Sequence, residues 1–133
     1  MTHLLDTNVC IAAMRGNPLV RRRLKAHIPS DCAVSTVSLY ELFSGVERCR
    51  LPEAEREKVN LFVRPLHLLP FDWEAAAQAA RIRWDLEKRG RLLGPHDLLL
   101  AGQALAMGVT LVTNNTGEFG RVTGLMLEDW QAT

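Results

Sequence analysis

The sequence predicts an α/β fold in which a parallel sheet is covered by helices on both faces. Short apolar runs at Leu4-Leu5, Cys32 to Ser35, Leu66 to Leu69, Thr110 to Thr113 and Leu125 to Leu127 alternate with stretches of helical periodicity. Strands separated by helices at this spacing pair in parallel. No repeat, linker or low-complexity tract interrupts the alternation, and 133 residues suit a single domain spanning 1–133, large enough to bury roughly two thirds of its unfolded surface.

The elements follow in order. Leu4-Leu5 ends at Asp6, and Thr7 and Asn8 offer an N-cap for a helix through Val9, Ile11 and Met14. Asn17-Pro18 reads as N-cap and first helical residue of a basic helix from Leu19 to about Ala26. The strand at Cys32-Ala33-Val34-Ser35 leads into a helix carrying Leu39, Leu42, Phe43 and Val46, and Pro52 opens the next helix, reaching Phe62 and Val63. Asp72 caps a long helix from Trp73 to Arg89 that Gly90 ends. Pro95 opens a further helix that Gly108 stops.

Composition excludes several classes. The net charge of +1 provides no global field toward nucleic acid or a membrane surface, so attraction to a polyanion must come from local patches or bound cations. Cys10, Cys32 and Cys49 are odd in number and widely spaced, which suits a reducing compartment. Met1-Thr2-His3 runs into an apolar triplet without a basic leader, and no apolar run approaches bilayer-spanning length, so a cytoplasmic location and no membrane partner are expected. A P-loop and a G-x-G-x-x-G fingerprint are both absent.

Asp6, Glu41, Asp97 and Glu118 each sit where an apolar run gives way to a helix start or turn. In an open parallel sheet such positions gather at the carboxyl edge of the strands, where ligands bind. Taken singly, most have a structural explanation. Ser38-Leu39-Tyr40-Glu41 matches a capping box, Asp97 could favour the positive end of its helix, and Glu118 could belong to the turn at Asn114-Asn115-Thr116-Gly117. Asp6 resists such an account, because an acid closing a buried strand is costly to desolvate without a partner. Together they suggest a carboxylate pocket. Carboxylate oxygens are hard ligands suited to Mg²⁺ or Mn²⁺, and the lack of Cys and His at ligand spacing argues against structural zinc. His3, His27 and His67 read as ordinary histidines, while His96 adjoins Asp97 and can line the pocket.

Four stretches carry a resemblance. Leu4-Leu5-Asp6-Thr7-Asn8-Val9-Cys10-Ile11, Ser35-Thr36-Val37-Ser38-Leu39-Tyr40-Glu41-Leu42, Gly94-Pro95-His96-Asp97-Leu98-Leu99-Leu100-Ala101 and Leu111-Val112-Thr113-Asn114-Asn115-Thr116-Gly117-Glu118-Phe119 appear in that order, down to a closing Leu127-Glu128-Asp129-Trp130. The chain resembles, over essentially its whole length, the PIN-domain ribonucleases, and among them the VapC toxins of toxin–antitoxin pairs. The resemblance implies a three-layer α/β/α sandwich around a mostly parallel sheet, Mg²⁺- or Mn²⁺-dependent endoribonuclease activity, a homodimer, and silencing by a VapB antitoxin. It implies Asp6, Glu41 and Asp97 as metal-binding catalytic acids. Many PIN domains carry Asp where this chain has Asn115, whereas the VapC-like pattern offers Glu118 a little later, so either Glu118, acting through water, or Asn115, by hydrogen bonding, completes the site, with Asn8, Thr113 and His96 in support. The substrate it implies is a structured RNA cut in a loop, foremost the anticodon loop of a tRNA such as the initiator, with ribosomal RNA loops as the alternative.

Phosphate contacts are expected from basic runs. Arg21, Arg22, Arg23 and Lys25 form one; Arg81, Arg83, Lys88, Arg89 and Arg91 form another that leads into the Asp97 motif, with Arg83, Arg89 and Arg91 its candidate RNA contacts. Leu39, Leu42, Phe43, Val46 and Phe62 are individually expected to pack in the core, while together their helix faces offer more apolar surface than one small domain needs to hide, which leaves some for a dimer. Two rival classes are a phosphoaspartyl phosphatase, whose pattern wants a second Asp where Asn8 stands, and a binding-only module with degraded chemistry, against which the retained acids speak.

Overall fold

Residues 1–132 are described in a computed structural model; Thr133, the last residue of the expected domain, lies outside the described residues. The chain runs β1 (His3–Leu5), α1 (Thr7–Met14), α2 (Pro18–Lys25), β2 (Cys32–Ser35, entered through a 3-10 turn at Pro29–Asp31), α3 (Thr36–Glu47) and α4 (Pro52–Val63). It continues with β3 (His67–Leu69), α5 (Trp73–Lys88), α6 (Pro95–Met107), β4 (Thr110–Val112), α7 (Thr116–Phe119) and β5 (Leu127–Glu128). The strands form one sheet in the order β3-β2-β1-β4-β5, and all its pairings are parallel.

Strand alternation divides the core. Leu4, Ala33 and Leu111 point to one face, where Ile82, Leu86, Leu100 and Ala104 of α5 and α6 cover them. Leu5, Val34 and Val112 point to the other, against Val9, Val20, Leu42 and Val59 of α1 to α4. The result is the expected three-layer sandwich. α5 and α6 approach so closely that a Cβ on Gly102 would stand 2.8 Å from the Ala75 carbonyl oxygen and 2.8 Å from the Ala79 Cβ. Gly108 ends α6 in the left-handed region, φ 66°, which glycine adopts without steric cost.

Several sequence expectations are corrected. The cap of α1 is Asp6, not Thr7 or Asn8: β1 passes into α1 with no loop, and the Asp6 side chain accepts the Val9 N–H at 2.8 Å. α3 likewise starts at once, with Ser35 as its cap accepting from the Val37 N–H, so Ser38 and Glu41 lie inside the helix and form no capping box. The last strand begins at Leu127, not Leu125; Leu125 follows the left-handed Gly124 and packs instead against the α5–α6 side of the core. The five apolar residues named on α3 and α4 serve the core, as expected of each individually, and the exposed apolar groups of these helices are Tyr40 and Leu61. Leu42 and Val46 are buried, and Leu39, Phe43 and Phe62 pack around them. Among the described residues no helix is long and apolar enough to cross a membrane, and the three cysteines are free thiols.

Candidate active site

β1 lies between β2 and β4, and the chain leaves it toward β2 through α1 and α2 and reaches β4 only after α6. That reversal opens a crevice at the carboxyl ends of β1 and β4, the position where doubly wound sheets bind ligands. Asp6 follows β1 directly and Thr113 follows β4 directly, and the Asp6 N–H donates to the Val112 carbonyl at 3.0 Å.

Asp6 is only 4% exposed. One carboxylate oxygen caps α1, and the other accepts from the Thr113 hydroxyl at 2.5 Å. Burial raises its pKa above the ordinary aspartate value; the Thr113 hydroxyl and the Val9 and Asn8 N–H groups act in the opposite direction, and the Glu41 charge adds to the rise. Asn8 thus acts through its backbone, and its side chain is exposed.

Glu41 enters from α3. Its Oε1 accepts from the Thr7 hydroxyl at 2.6 Å, and the Ser38 hydroxyl lies 2.9 Å from the same Thr7 oxygen. Its Oε2 lies 3.2 Å from His96 Nδ1, and the His96 ring meets Tyr40 edge to face. α1, α3 and the start of α6 are therefore joined through one carboxylate. Sequence reasoning misses the roles of Thr7 and Ser38; the available signal is the hydroxyl directly after the Asp6 strand end, which by itself reads only as a cap.

Asp97 lies in the first turn of α6. Its pKa is pushed up to about 6, by burial first and then by the charges of Asp6, Glu41 and Glu118, with His96 opposing. That coupling shows the four acids share one electrostatic pocket. Glu118 is the outermost, exposed on α7, where Oε2 accepts from the Asn115 amide at 3.1 Å. Asn115 also donates its backbone N–H to the Thr113 hydroxyl at 3.0 Å.

Among the described residues no three His, Cys, Asp or Glu side chains converge closely enough to hold one ion. The donor chemistry nonetheless fits a hard divalent cation: the facing groups are carboxylates, and their mutual repulsion, visible in the raised Asp97, is what a cation relieves.

Four of the basic residues make bonds within the chain. Arg83 donates to Glu87 at 2.8 Å, and Arg89 donates to Asp85 at 2.8 Å and to the Arg121 carbonyl at 2.5 Å. Arg91 is exposed. Of the other run, Arg21 donates to the Ala13 carbonyl at 2.9 Å and Arg23 to Glu128 at 3.3 Å. RNA contact through Arg83 or Arg89 would first exchange an exposed ion pair, a cost below about 1 kcal/mol.

A family profile described as "PIN domain" matches residues 3–125. The chain is 41% identical to the "tRNA(fMet)-specific endonuclease VapC" of Shigella flexneri, over 96% of each chain. Among solved structures it is similar to the DNA-bound VapBC of Salmonella typhimurium, with a TM-score of 0.93, 36% identity and 98% of each chain covered. It is also similar to VapBC-5 of Mycobacterium tuberculosis, described as a member of the VapBC family of toxin–antitoxin systems, with a TM-score of 0.72, 26% identity and 96% of each chain covered.

Proposed function

Because the chain belongs to the PIN-domain family, and within it to the VapC ribonucleases, we propose that it is a metal-dependent endoribonuclease toxin that cuts a tRNA in its anticodon loop, the initiator tRNA foremost, and so stops translation. The observation that carries the reading is the carboxylate pocket at the switch point, in which burial first, and then the charges of Asp6, Glu41 and Glu118, raise Asp97. The name of the Shigella relative supports the initiator tRNA.

In this reading Asp6, Glu41 and Asp97 hold Mg²⁺ or Mn²⁺, which when bound stabilises charge developing on the phosphate and the leaving oxygen. The remaining residues set geometry. Thr113 and the α1 N-terminus fix both oxygens of Asp6, while Thr7 and His96 each fix one oxygen of Glu41. Glu118, oriented by Asn115 and open to solvent, holds the attacking water. The water's oxygen adds to phosphorus as its proton passes to the Glu118 carboxylate, a phosphodiester P–O bond breaks, and the leaving oxygen takes a proton from solvent. A loop suits such a pocket because its backbone can splay to present one phosphate, which continuous A-form duplex resists.

The partner in this reading is a VapB antitoxin, whose arginine would pair with the acids in place of the cation. A groove of about 660 Å³ beside them, lined by Ile11, Met14, Val46 and Val59 and edged by Arg15, Glu55 and Lys58, offers its helix a mixed apolar and charged bed. A homodimer would draw on exposed apolar groups such as Trp84 and Leu92, since the α3 and α4 faces are used in the core. The free thiols and the RNA substrate both suit the cytoplasm.

The deciding experiment maps RNA ends across total RNA after brief induction, with the Asp97→Asn chain beside it. A single dominant cut in a tRNA anticodon loop, absent with Asp97→Asn, is expected. Binding of RNA without cleavage in added Mg²⁺ or Mn²⁺ would return the chain to the binding-only alternative. Unchanged cleavage by Asp97→Asn would remove the assigned acids.

A further inference from the structure

Tyr40 is the chain's one tyrosine, and it is 62% exposed. It falls outside the stripe of Ser38, Leu42 and Val46 that α3 buries, so it adds little to the core. A lone exposed aromatic needs no explanation. What sets Tyr40 apart from Trp73 and Trp84, which are also exposed, is its neighbour. Its ring centroid lies 5.6 Å from that of His96, at an interplanar angle of 80°, and His96 Nδ1 is 3.2 Å from the Glu41 carboxylate. Two aromatic rings thus stand at near right angles on the rim of the acid pocket, both open to solvent, the His96 side chain 43% exposed.

An acidic pocket repels a polyanion until cations bind, and Arg83 and Arg89 are already paired on α5. Drawing on either arginine first breaks an exposed ion pair, so a contribution that does not depend on charge adds to RNA affinity at this rim. Stacking of an unpaired base on an aromatic ring is such a contribution, and two rings at right angles suit it: a base lying on one face meets the edge of the other.

We propose that Tyr40, braced by His96, is a stacking platform for an unpaired nucleobase next to the scissile phosphate, so that Tyr40 sets how loop RNA is placed over the carboxylates. The proposal rests on the endoribonuclease reading. Tyr40 makes no bond to the reacting atoms and is a positioning residue.

The test compares full-length wild type, Tyr40→Phe and Tyr40→Leu on the mapped loop RNA and on copies carrying an abasic site at each position flanking the cut. On intact RNA, Tyr40→Phe should cut like wild type, and Tyr40→Leu should show KM raised at least about five-fold with kcat little changed. On the RNA lacking the stacked base, wild type should fall to the Tyr40→Leu level and the substitution should cost nothing more. In an Asp97→Asn background, 2-aminopurine at that position should be quenched by the chain with its native Tyr40 and by the Tyr40→Phe variant, and not by Tyr40→Leu. Equal cleavage of intact RNA by wild type and Tyr40→Leu overturns the platform, as does an equal loss on intact and abasic RNA. Tyr40→Leu that cuts normally but escapes purified antitoxin also overturns it, assigning the ring to a protein contact. A wild type that cuts no RNA defeats the platform together with the endoribonuclease reading, and so is distinguishable from the other outcomes.

Discussion

Asp97 illustrates how a half-buried carboxylate among other acids burdens the fold that carries it. Its pKa moves from 3.8 to about 6, so the folded chain holds a proton through that interval which the unfolded chain releases. Stability therefore falls as pH rises through the interval and stays lower above it. Asp97→Asn should make metal-free protein more stable at pH 7.5, by less than the roughly 3 kcal/mol that the full shift represents. Water around a half-buried group brings the expected gain to about 1–2 kcal/mol. Urea unfolding at pH 7.5 and pH 4 should show the gain at the higher pH only. Thr113→Val works in the opposite direction: removing the 2.5 Å bond to buried Asp6 should cost about 1–3 kcal/mol and raise the Asp6 pKa further. NMR titration of Asp6 that shows no upward shift in this variant would contradict the assigned bond. These residues also mark a limit of sequence reading. The acids can be named from their places at strand ends, but the Thr7 and Thr113 hydroxyls reach them across 34 and 107 residues of sequence, and no local pattern encodes such a pairing.

Among the elements, those with strong local punctuation are legible. Asn17-Pro18, Pro52 and Pro95 open α2, α4 and α6 where expected, and Asp72 caps α5 through the Ala75 N–H at 3.0 Å. The abrupt β1–α1 and β2–α3 junctions escape sequence reading because Asp6 and Ser35 each end a strand and cap a helix at once, leaving no loop to signal the change. β5 has only two residues and is defined by its pairing with β4, so its start is not encoded locally. The α5–α6 pair depends on one missing side chain. Gly102→Ala would press a methyl group to 2.8 Å from the Ala75 carbonyl and should cost about 1–3 kcal/mol through forced separation of the helices. Thermal melting that shows no loss would mean the two helices can slide apart freely.

For the molecule as a whole, the alternation of strands with helices is enough to anticipate that acids far apart in sequence gather at one sheet edge, while the reversal in strand order, which no local pattern encodes, fixes where that edge opens. A cation that binds the folded chain alone stabilises it by mass action. Added Mn²⁺ should raise the melting temperature of chelator-treated protein at pH 7.5, should do so much less at pH 5, where Asp97 keeps its proton, and should leave Asp97→Asn nearly unmoved. An equal rise in both proteins would remove Asp97 from the metal-binding set. Asp6 finally has a genetic consequence, because the same carboxylate that faces the pocket also starts α1. Asn can replace it as a cap, whereas Ala forfeits about 1 kcal/mol of helix stability. Survivors selected from cells expressing the chain should therefore fall into two classes on an immunoblot at this codon. Asp6→Asn should accumulate to full abundance as an inert protein, while aliphatic replacements should survive partly because the polypeptide is degraded.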